Sequence, residues 1–297
     1  MIDTAQSEIG TISHLVVKHA REAFRSSQAI AEEWRALNFI SPPDFDEAVR
    51  QYDRFAELLG ASGASLLFLP PSPGAGMDSI YVRDASIVCD RGVILCSMGK
   101  PLRQNEPQSQ EAAFRAMGHP IAGSIAPPGR LEGGDVLWLD RRTLAVGRGY
   151  RTNDDGIAQL RTLLGDSIDE LIVVPLPHWR GSADVFHLMS IVSPVDHDLA
   201  VVYSPLMPVS FRERLLDRGV GLVEVPDEEF ESMGANVLAI APRRCLMLAG
   251  NPTARSRLER AGAHVTVYDG DDISRKGGGG PTCLTRPLCR LDRADQA

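Results

Sequence analysis

The sequence has no apolar run near the roughly 18 residues that a membrane-spanning helix needs. Its first ten residues, MIDTAQSEIG, lack the basic and apolar regions of a secretion signal. A block of lysine and arginine is also missing, and the 297 residues carry a formal net charge of −8. This charge disfavours nucleic acids and acidic membranes as partners. We therefore expect a cytoplasmic protein that binds neither a membrane nor nucleic acid.

Cysteine is scarce, and the five cysteines form no C-x-x-C pair. This pattern argues against a disulfide framework and a cysteine-rich zinc site. Histidine pairs at metal-ligand spacing are also missing, so we predict no metal. The glycine run at 277–280 lacks the Gly-Lys-Ser/Thr ending of a phosphate loop, and no dinucleotide fingerprint follows a first strand.

The sequence does contain a repeat of hairpin, helix and strand. Alternating and β-branched runs broken by turn residues predict four hairpins, and a fifth pairs a late strand with an early one. The predicted hairpins are 84–97, 134–149, 187–204, 235–250 and 283–291 with 13–20. Five such units predict an α/β chain in which modules of the type ββαβ close into a ring.

Helices are predicted from apolar residues spaced three and four apart, most clearly over 44–60 and 154–164. Thr152 or Asn153 is the expected N-cap of the second helix, and Gly165 is its expected end. No linker is visible. We therefore predict a single catalytic domain over residues 1–297, with loose ends at about 1–10 and 290–297.

One polar residue stands at the head of each hairpin, and successive heads are 48, 55, 49 and 47 residues apart. Equivalent positions in a ring of modules converge on its axis. We therefore predict one central site with a nucleophile, an acid/base group and two carboxylates. The five residues are Asp84, Glu132, His187, Asn236 and Cys283.

Each of these residues also has a purely structural interpretation. Cys283 would be a small core residue, and His187 would be a satisfied core histidine. Glu132 would be a turn residue beside two glycines, Asp84 would pair with the arginine before it, and Asn236 would bond to the backbone. Their common phase within the repeat favours the functional interpretation.

The order and spacing of these residues resemble those of the guanidine-modifying superfamily, which includes arginine deiminases, amidinotransferases and dimethylarginine dimethylaminohydrolases. The resemblance covers about residues 13–289, and it is strongest to the dimethylarginine dimethylaminohydrolases. The matching motifs are MDSIYVRDAS, LEGGD, GRGYRTND, FHL, MGANVL and GGGGPTCLT. The resemblance implies a five-bladed α/β-propeller, the pentein fold, that needs no cofactor.

The resemblance also implies roles for individual residues. Cys283 would be the nucleophile and His187 the general acid/base, while Glu132 and Asp84 would hold the guanidinium. Asp78 and Arg151 would fix the α-amino and α-carboxylate ends of an arginine-like substrate, and Arg103 would be a further substrate-binding residue. Asn236 completes the predicted substrate-binding set.

Three activities stay open at this point: hydrolysis of methylated arginine, deimination of arginine, and amidino transfer. Met189 stands where deiminases usually have aspartate, which favours an N-substituted arginine; Arg83 and Gly278 depart from the dimethylarginine pattern. A non-catalytic propeller would make Cys283 dispensable, and papain-like enzymes usually have the cysteine before the histidine.

The expected partner is a small arginine-like molecule, and a homodimer is left open. The Pro- and Gly-rich segment 69–76 is predicted to be a mobile loop over the site.

Overall fold

The computed structural model describes residues 1–72, 74–182 and 186–292. Its strands form five small sheets, which confirms the five predicted modules. The strands are β1 (Ile2–Thr4), β2 (Thr11–Val17), β3 (Ser65–Phe68), β4 (Ser86–Cys89), β5 (Gly92–Leu95), β6 (Ile121–Ser124), β7 (Val136–Asp140), β8 (Thr143–Arg148), β9 (Glu170–Pro175), β10 (Val192–Asp196), β11 (Leu199–Val202), β12 (Gly221–Glu224), β13 (Val237–Ala241), β14 (Arg244–Leu248), β15 (His264–Tyr268) and β16 (Arg286–Asp292).

Four sheets share one topology, an antiparallel hairpin whose second strand pairs in parallel with a third strand. Their strand orders are β4-β5-β6, β7-β8-β9, β10-β11-β12 and β13-β14-β15. The fifth sheet has the order β1-β16-β2-β3 and joins strands from the two ends of the chain. In this sheet β16 is antiparallel to β2, and β2 is parallel to β3.

The parallel strands of each module are connected through a helix, as parallel pairing requires. Asn153 caps the helix of the second module by accepting a hydrogen bond from Gly156 N at 2.9 Å, and Gly165 follows its last turn with φ +51°. Both predicted ends are therefore confirmed. The helices are α1 (Ala20–Phe24), α2 (Ser27–Glu33), α3 (Phe45–Ala61), α4 (Glu106–Ala116), α5 (Asp154–Leu164), α6 (Val209–Asp217), α7 (Asp227–Phe230) and α8 (Pro252–Arg260).

The ends of the chain differ from the expected loose segments at 1–10 and 290–297. β1 pairs with β16 between Ile2 and Asp292, and residues 6–9 are buried. A three-residue strand is too short to show a period, so the sequence pattern missed it. Residues 293–297 lie outside the described residues, and the single domain over 1–297 stays a prediction.

The hairpin strands lie in the core. All four residues of β4 and all four of β11 are buried. Strands covered on both faces appear in the sequence as continuous apolar runs, which is why the hairpins were visible there. Among the described residues, no helix is both long enough and apolar enough to cross a membrane.

Candidate active site

The heads of the five hairpins meet, as their spacing predicted. Hydrogen bonds near the hairpin heads connect each module to the next, and the five connections close a ring. The connections are Arg83 N to Cys283 O (3.2 Å), Gly133 N to Asp84 O (2.8 Å), Leu188 N to Asp135 Oδ1 (3.0 Å), Ser193 Oγ to Ala235 O (2.7 Å) and Thr282 N to Asn236 Oδ1 (3.0 Å).

A cavity of about 560 Å³ opens at this ring. This volume lies within the range usual for small-ligand sites. Seven of the eight predicted site residues line it; Glu132, fully buried, is not among the lining residues. The seven are Asp78, Asp84, Arg103, Arg151, His187, Asn236 and Cys283.

His187 lies between two carboxylates. Its Nε2 is 2.7 Å from Glu132 Oε2, and its Nδ1 is 3.7 Å from Asp84 Oδ1. Burial alone would lower the pKa of His187, but the charges of Asp84 and Asp135 and the hydrogen bond to Glu132 raise that pKa to about 9. The imidazole is therefore protonated near neutral pH and can donate a proton.

Glu132 contacts His187 in this arrangement. Its carboxylate also accepts hydrogen bonds from Gly99 N at 2.8 Å and from Arg151 Nη1 at 3.2 Å. Burial would raise the pKa of Glu132, but the hydrogen bond from His187 and the charges of His187 and Arg151 hold it well below its usual range. The Glu132 carboxylate therefore already has two cationic partners, His187 and the guanidinium of Arg151, and its implied role in holding a substrate guanidinium stays a prediction.

Sequence analysis missed Asp135, the last residue of the LEGGD motif. It is buried, and its carboxylate accepts hydrogen bonds from Leu188 N and from Thr152 Oγ1 at 2.7 Å. Burial raises the pKa of Asp135 to about 6 against the opposing charge of His187. The signal was its position three residues after Glu132 in an acidic, glycine-containing motif.

Cys283 opens onto the cavity with its sulfur near two polar groups. Asn236 Nδ2 is 3.6 Å from Sγ, and Thr282 Oγ1 is 3.9 Å from Sγ. Burial and then the charge of Asp84 raise the pKa of the Cys283 thiol to about 11, although Thr282 and Arg83 act in the opposite direction. Without a ligand the thiol is therefore protonated at neutral pH.

Glycines allow these groups to approach closely. A Cβ at Gly134 would lie 2.6 Å from His187 Nδ1 and 2.7 Å from Asp84 Oδ1. In the 277–280 run, a Cβ at Gly280 would collide with Asn236, and one at Gly279 with the ring of Tyr81. No other residue type fits these positions without displacing a site residue.

Asp78 is buried and already has a cationic partner. Lys100 Nζ donates to Asp78 Oδ2 at 2.6 Å and to Leu37 O at 2.7 Å. Burial lowers the pKa of Lys100, and the charge of Asp78 opposes that shift. Sequence analysis missed Lys100, although it lies in the same KPLRQNE segment as Arg103.

Arg103 lies behind Asp84 with all three guanidinium nitrogens engaged. Nη1 donates to Asp84 Oδ2 at 2.6 Å, while Nε and Nη2 each donate to Glu106 at 2.8 Å. Burial raises the pKa of Glu106 to about 7 against the charge of Arg103. This geometry fits a residue that positions Asp84 better than one that binds the substrate directly.

Met189, the expected selector of N-substituted substrates, is not among the residues that line the cavity. It packs in the core with its Sδ 3.4 Å from Arg83 Nη1. The described part of the expected covering loop, 69–72 and 74–76, does not line the cavity either, and Pro73 lies outside the described residues. Leu37, Asn38 and Ile40 line the cavity instead.

Asp84, Glu132 and His187 are also a possible metal site, since one ligand atom from each lies within 4.8 Å of the others. These ligands come from three modules, so no short motif could reveal them. A histidine that ligates a metal must be neutral. The raised pKa of His187 favours an imidazolium paired with carboxylates, and the absence of a metal stays a prediction.

Comparison with known proteins agrees with the fold. The arginine deiminase family model matches residues 60–219. An N(G),N(G)-dimethylarginine dimethylaminohydrolase of Streptomyces coelicolor is 31% identical over 249 residues, which cover 84% of this chain and 88% of that protein. An arginine deiminase of Rhodococcus jostii is 27% identical, with 91% of this chain and 76% of that protein covered.

A solved structure has the same fold. The dimethylarginine dimethylaminohydrolase of Pseudomonas aeruginosa, as a cysteine-to-serine variant complexed with citrulline, matches with a TM-score of 0.73 and 23% identity. The match covers 93% of this chain and 98% of that chain, so the predicted pentein fold is confirmed. The chain therefore belongs to the arginine deiminase family of the guanidine-modifying superfamily, and it is a hydrolase of amidine C–N bonds that is most like the dimethylarginine dimethylaminohydrolases.

Proposed function

We propose that this protein hydrolyses the guanidinium group of an N-methylated arginine, giving citrulline and dimethylamine. The observation that carries the proposal is the convergence of Cys283, His187 and Asp84 on one cavity, with Glu132 behind the histidine. A nucleophile, an acid and a carboxylate next to each other are what hydrolysis of a guanidinium requires.

Asp84 is the group that holds the guanidinium. Its Oδ2 accepts from Arg103, whereas its buried Oδ1 accepts no hydrogen bond among the described residues and has only the longer contact of 3.7 Å with His187 Nδ1. A buried acceptor without a partner is costly, and a guanidinium N–H satisfies it with a charge-assisted hydrogen bond. The bound cation would also lower the pKa of the Cys283 thiol and so promote the thiolate.

The reaction then has two steps. The thiolate sulfur bonds to the guanidinium carbon, the C–N bond to the methylated nitrogen breaks, and His187 gives its proton to the departing amine. This step leaves a covalent S-alkylthiouronium. His187, now neutral, takes a proton from water, whose oxygen attacks the same carbon; the C–S bond breaks and the ureido product leaves.

Arginine deimination is the second candidate. It is supported by the arginine deiminase family model and by the arginine deiminase of Rhodococcus jostii. The chemistry at Cys283 is the same, but ammonia leaves instead of dimethylamine. In amidino transfer, the third possibility, an acceptor amine replaces water in the second step.

An amine-release assay tests the proposal. Purified protein is given asymmetric dimethylarginine and arginine separately, and dimethylamine, ammonia and citrulline are measured. We expect dimethylamine and citrulline from the first substrate, with at least about a 1,000-fold loss of rate in Cys283→Ser. Ammonia from arginine alone would support deimination, and no product from either substrate would contradict both.

A further inference from the structure

Asp78 Oδ2 and Leu37 O form an acceptor pair suited to an ammonium group. A carboxylate oxygen and a carbonyl oxygen accept hydrogen bonds but donate none, so together they attract an N–H-rich cation. Both residues line the active-site cavity. An amino-acid substrate with a free α-ammonium would need acceptors of this kind away from its guanidinium.

In this chain Lys100 already occupies that pair. Its Nζ lies 2.6 Å from Asp78 Oδ2 and 2.7 Å from Leu37 O. The exposed fractions of the two side chains are 13% for Lys100 and 5% for Asp78, so the ion pair is largely shielded from water. A second ammonium at the same acceptors would be repelled by the first, and the repulsion is strong where water is scarce.

The other acidic groups of the cavity do not replace Asp78. Asp84 is required at the guanidinium end. Among the described residues that line the cavity, the remaining carboxylates are Glu228 and Glu231, which are exposed, and Glu231 pairs with Arg180. Ion pairs at such exposed positions contribute little to binding.

Cationic groups that could bind an anionic part of the substrate line the same cavity. Arg151 lines the cavity, and among the described residues only its Nη1 contacts a carboxylate, that of Glu132. Its other guanidinium nitrogens and the ammonium of Lys100 can attract an anion. The cavity therefore combines an acceptor for a guanidinium with cations that suit a carboxylate, Lys100 and Arg151 among them.

We propose that Lys100 takes the place of a substrate ammonium, so that the protein hydrolyses a methylated guanidino carboxylate without a free α-ammonium more efficiently than a methylated arginine. The inference rests on the proposed hydrolysis of a methylated guanidinium and concerns the opposite end of the molecule. The reaction is unchanged: water replaces dimethylamine at the guanidinium carbon, and a ureido carboxylate leaves.

Competing substrates test the inference. The probes are asymmetric dimethylarginine, its desamino analogue 5-(N,N-dimethylguanidino)pentanoate, and Nα-acetyl dimethylarginine, whose α-nitrogen carries no charge. For the wild-type protein we expect kcat/KM to be at least roughly tenfold higher for the desamino compound than for dimethylarginine. The acetylated compound distinguishes loss of the charge from loss of the nitrogen.

The variant Lys100→Met removes the ammonium and leaves Asp78 free. We expect its preference to reverse toward dimethylarginine, whereas the matched control Lys100→Arg keeps a cation there and should keep the wild-type preference. A wild-type preference for dimethylarginine, or an unchanged ratio in Lys100→Met, would overturn the inference while the proposed function stands.

A binding measurement separates the two proposals. The variant Cys283→Ser, with and without Lys100→Met, is titrated calorimetrically with both probes. If the wild-type protein turns over neither probe, the proposed function fails, and the ratio of the two dissociation constants still decides the role of Lys100. If Lys100→Met does not fold, Lys100→Gln is the second variant, because it removes the charge but keeps an N–H donor towards Asp78 and Leu37. An unchanged ratio of the two dissociation constants in Lys100→Gln would contradict the inference.

Discussion

The guanidinium of Arg83 lies against the sulfur of Met189, with 3.4 Å between Nη1 and Sδ. Both side chains are buried, and neither is among the residues that line the cavity. A carboxylate at position 189 would therefore meet Arg83 before it met a substrate.

We predict from this contact that Met189→Asp does not convert the protein to an arginine deiminase. The new carboxylate should pair with Arg83, so the ratio of kcat/KM for arginine and dimethylarginine should change by less than about threefold, or roughly 0.6 kcal/mol. Met189→Leu is the control for the change in packing. A large shift toward arginine in the aspartate variant alone would restore Met189 as the selector.

The pKa of Cys283, raised to about 11, predicts slow alkylation of the free enzyme at neutral pH. The rate with iodoacetamide should rise about tenfold per pH unit until the pH approaches that pKa, because only the thiolate reacts. A bound guanidinium ion should move the profile to lower pH. Cys283→Ser identifies the contribution of the partly exposed Cys289, and a midpoint near or below pH 8 would contradict the prediction.

Asn236 is predicted to position the thiol. Its Nδ2 faces Sγ, and its Oδ1 accepts from Thr282 N and from Thr282 Oγ1 at 2.9 Å. Asn236→Ala should lower kcat by roughly 100-fold, since a small misplacement of a nucleophile is costly. Asn236→Asp keeps the acceptor but adds a negative charge, so its pH–rate profile should move to higher pH. An aspartate variant with wild-type kcat and pH profile would show that Asn236 is only structural.

Arg103 is predicted to affect catalysis more than substrate binding. Lysine cannot reproduce the two bonds to Glu106 together with the bond to Asp84. We expect Arg103→Lys to lower kcat by roughly 100-fold and to change KM by less than about threefold. The opposite pattern, a raised KM with an unchanged kcat, would support the substrate-binding role first predicted for Arg103.

The sequence predicted those parts of the molecule that repeat. The central polar residues could be found because one position, the head of the hairpin, recurs in every module. Adjacent modules are hydrogen-bonded to each other near these heads, so the residues there come together. They are Asp84, Glu132, His187, Asn236 and Cys283. The helices could be found because their apolar faces pack against buried strands.

Contacts that occur in only one module, with no equivalent in the others, could not be predicted in this way. Lys100 and Asp78 are 22 positions apart in different turns, and nothing periodic connects them. Met189 has the apolar side chain that a residue lining a pocket for methyl groups would need. Whether that side chain points into the cavity depends on how it packs around Arg83. The orientation of a buried side chain depends on the residues that surround it in the folded protein, and it cannot be predicted from a single sequence.

The fifth sheet combines the earliest strands of the chain with the last one described, β16, which follows directly after Cys283. During synthesis, the first four modules have all their strands while the fifth still lacks its central partner. Since β16 reaches the sheet only after it has left the ribosome, the nucleophile is the last component of the site to arrive. A chain that stops before Cys283 therefore contains the acid and its carboxylates but lacks the thiol, and it cannot form the covalent intermediate.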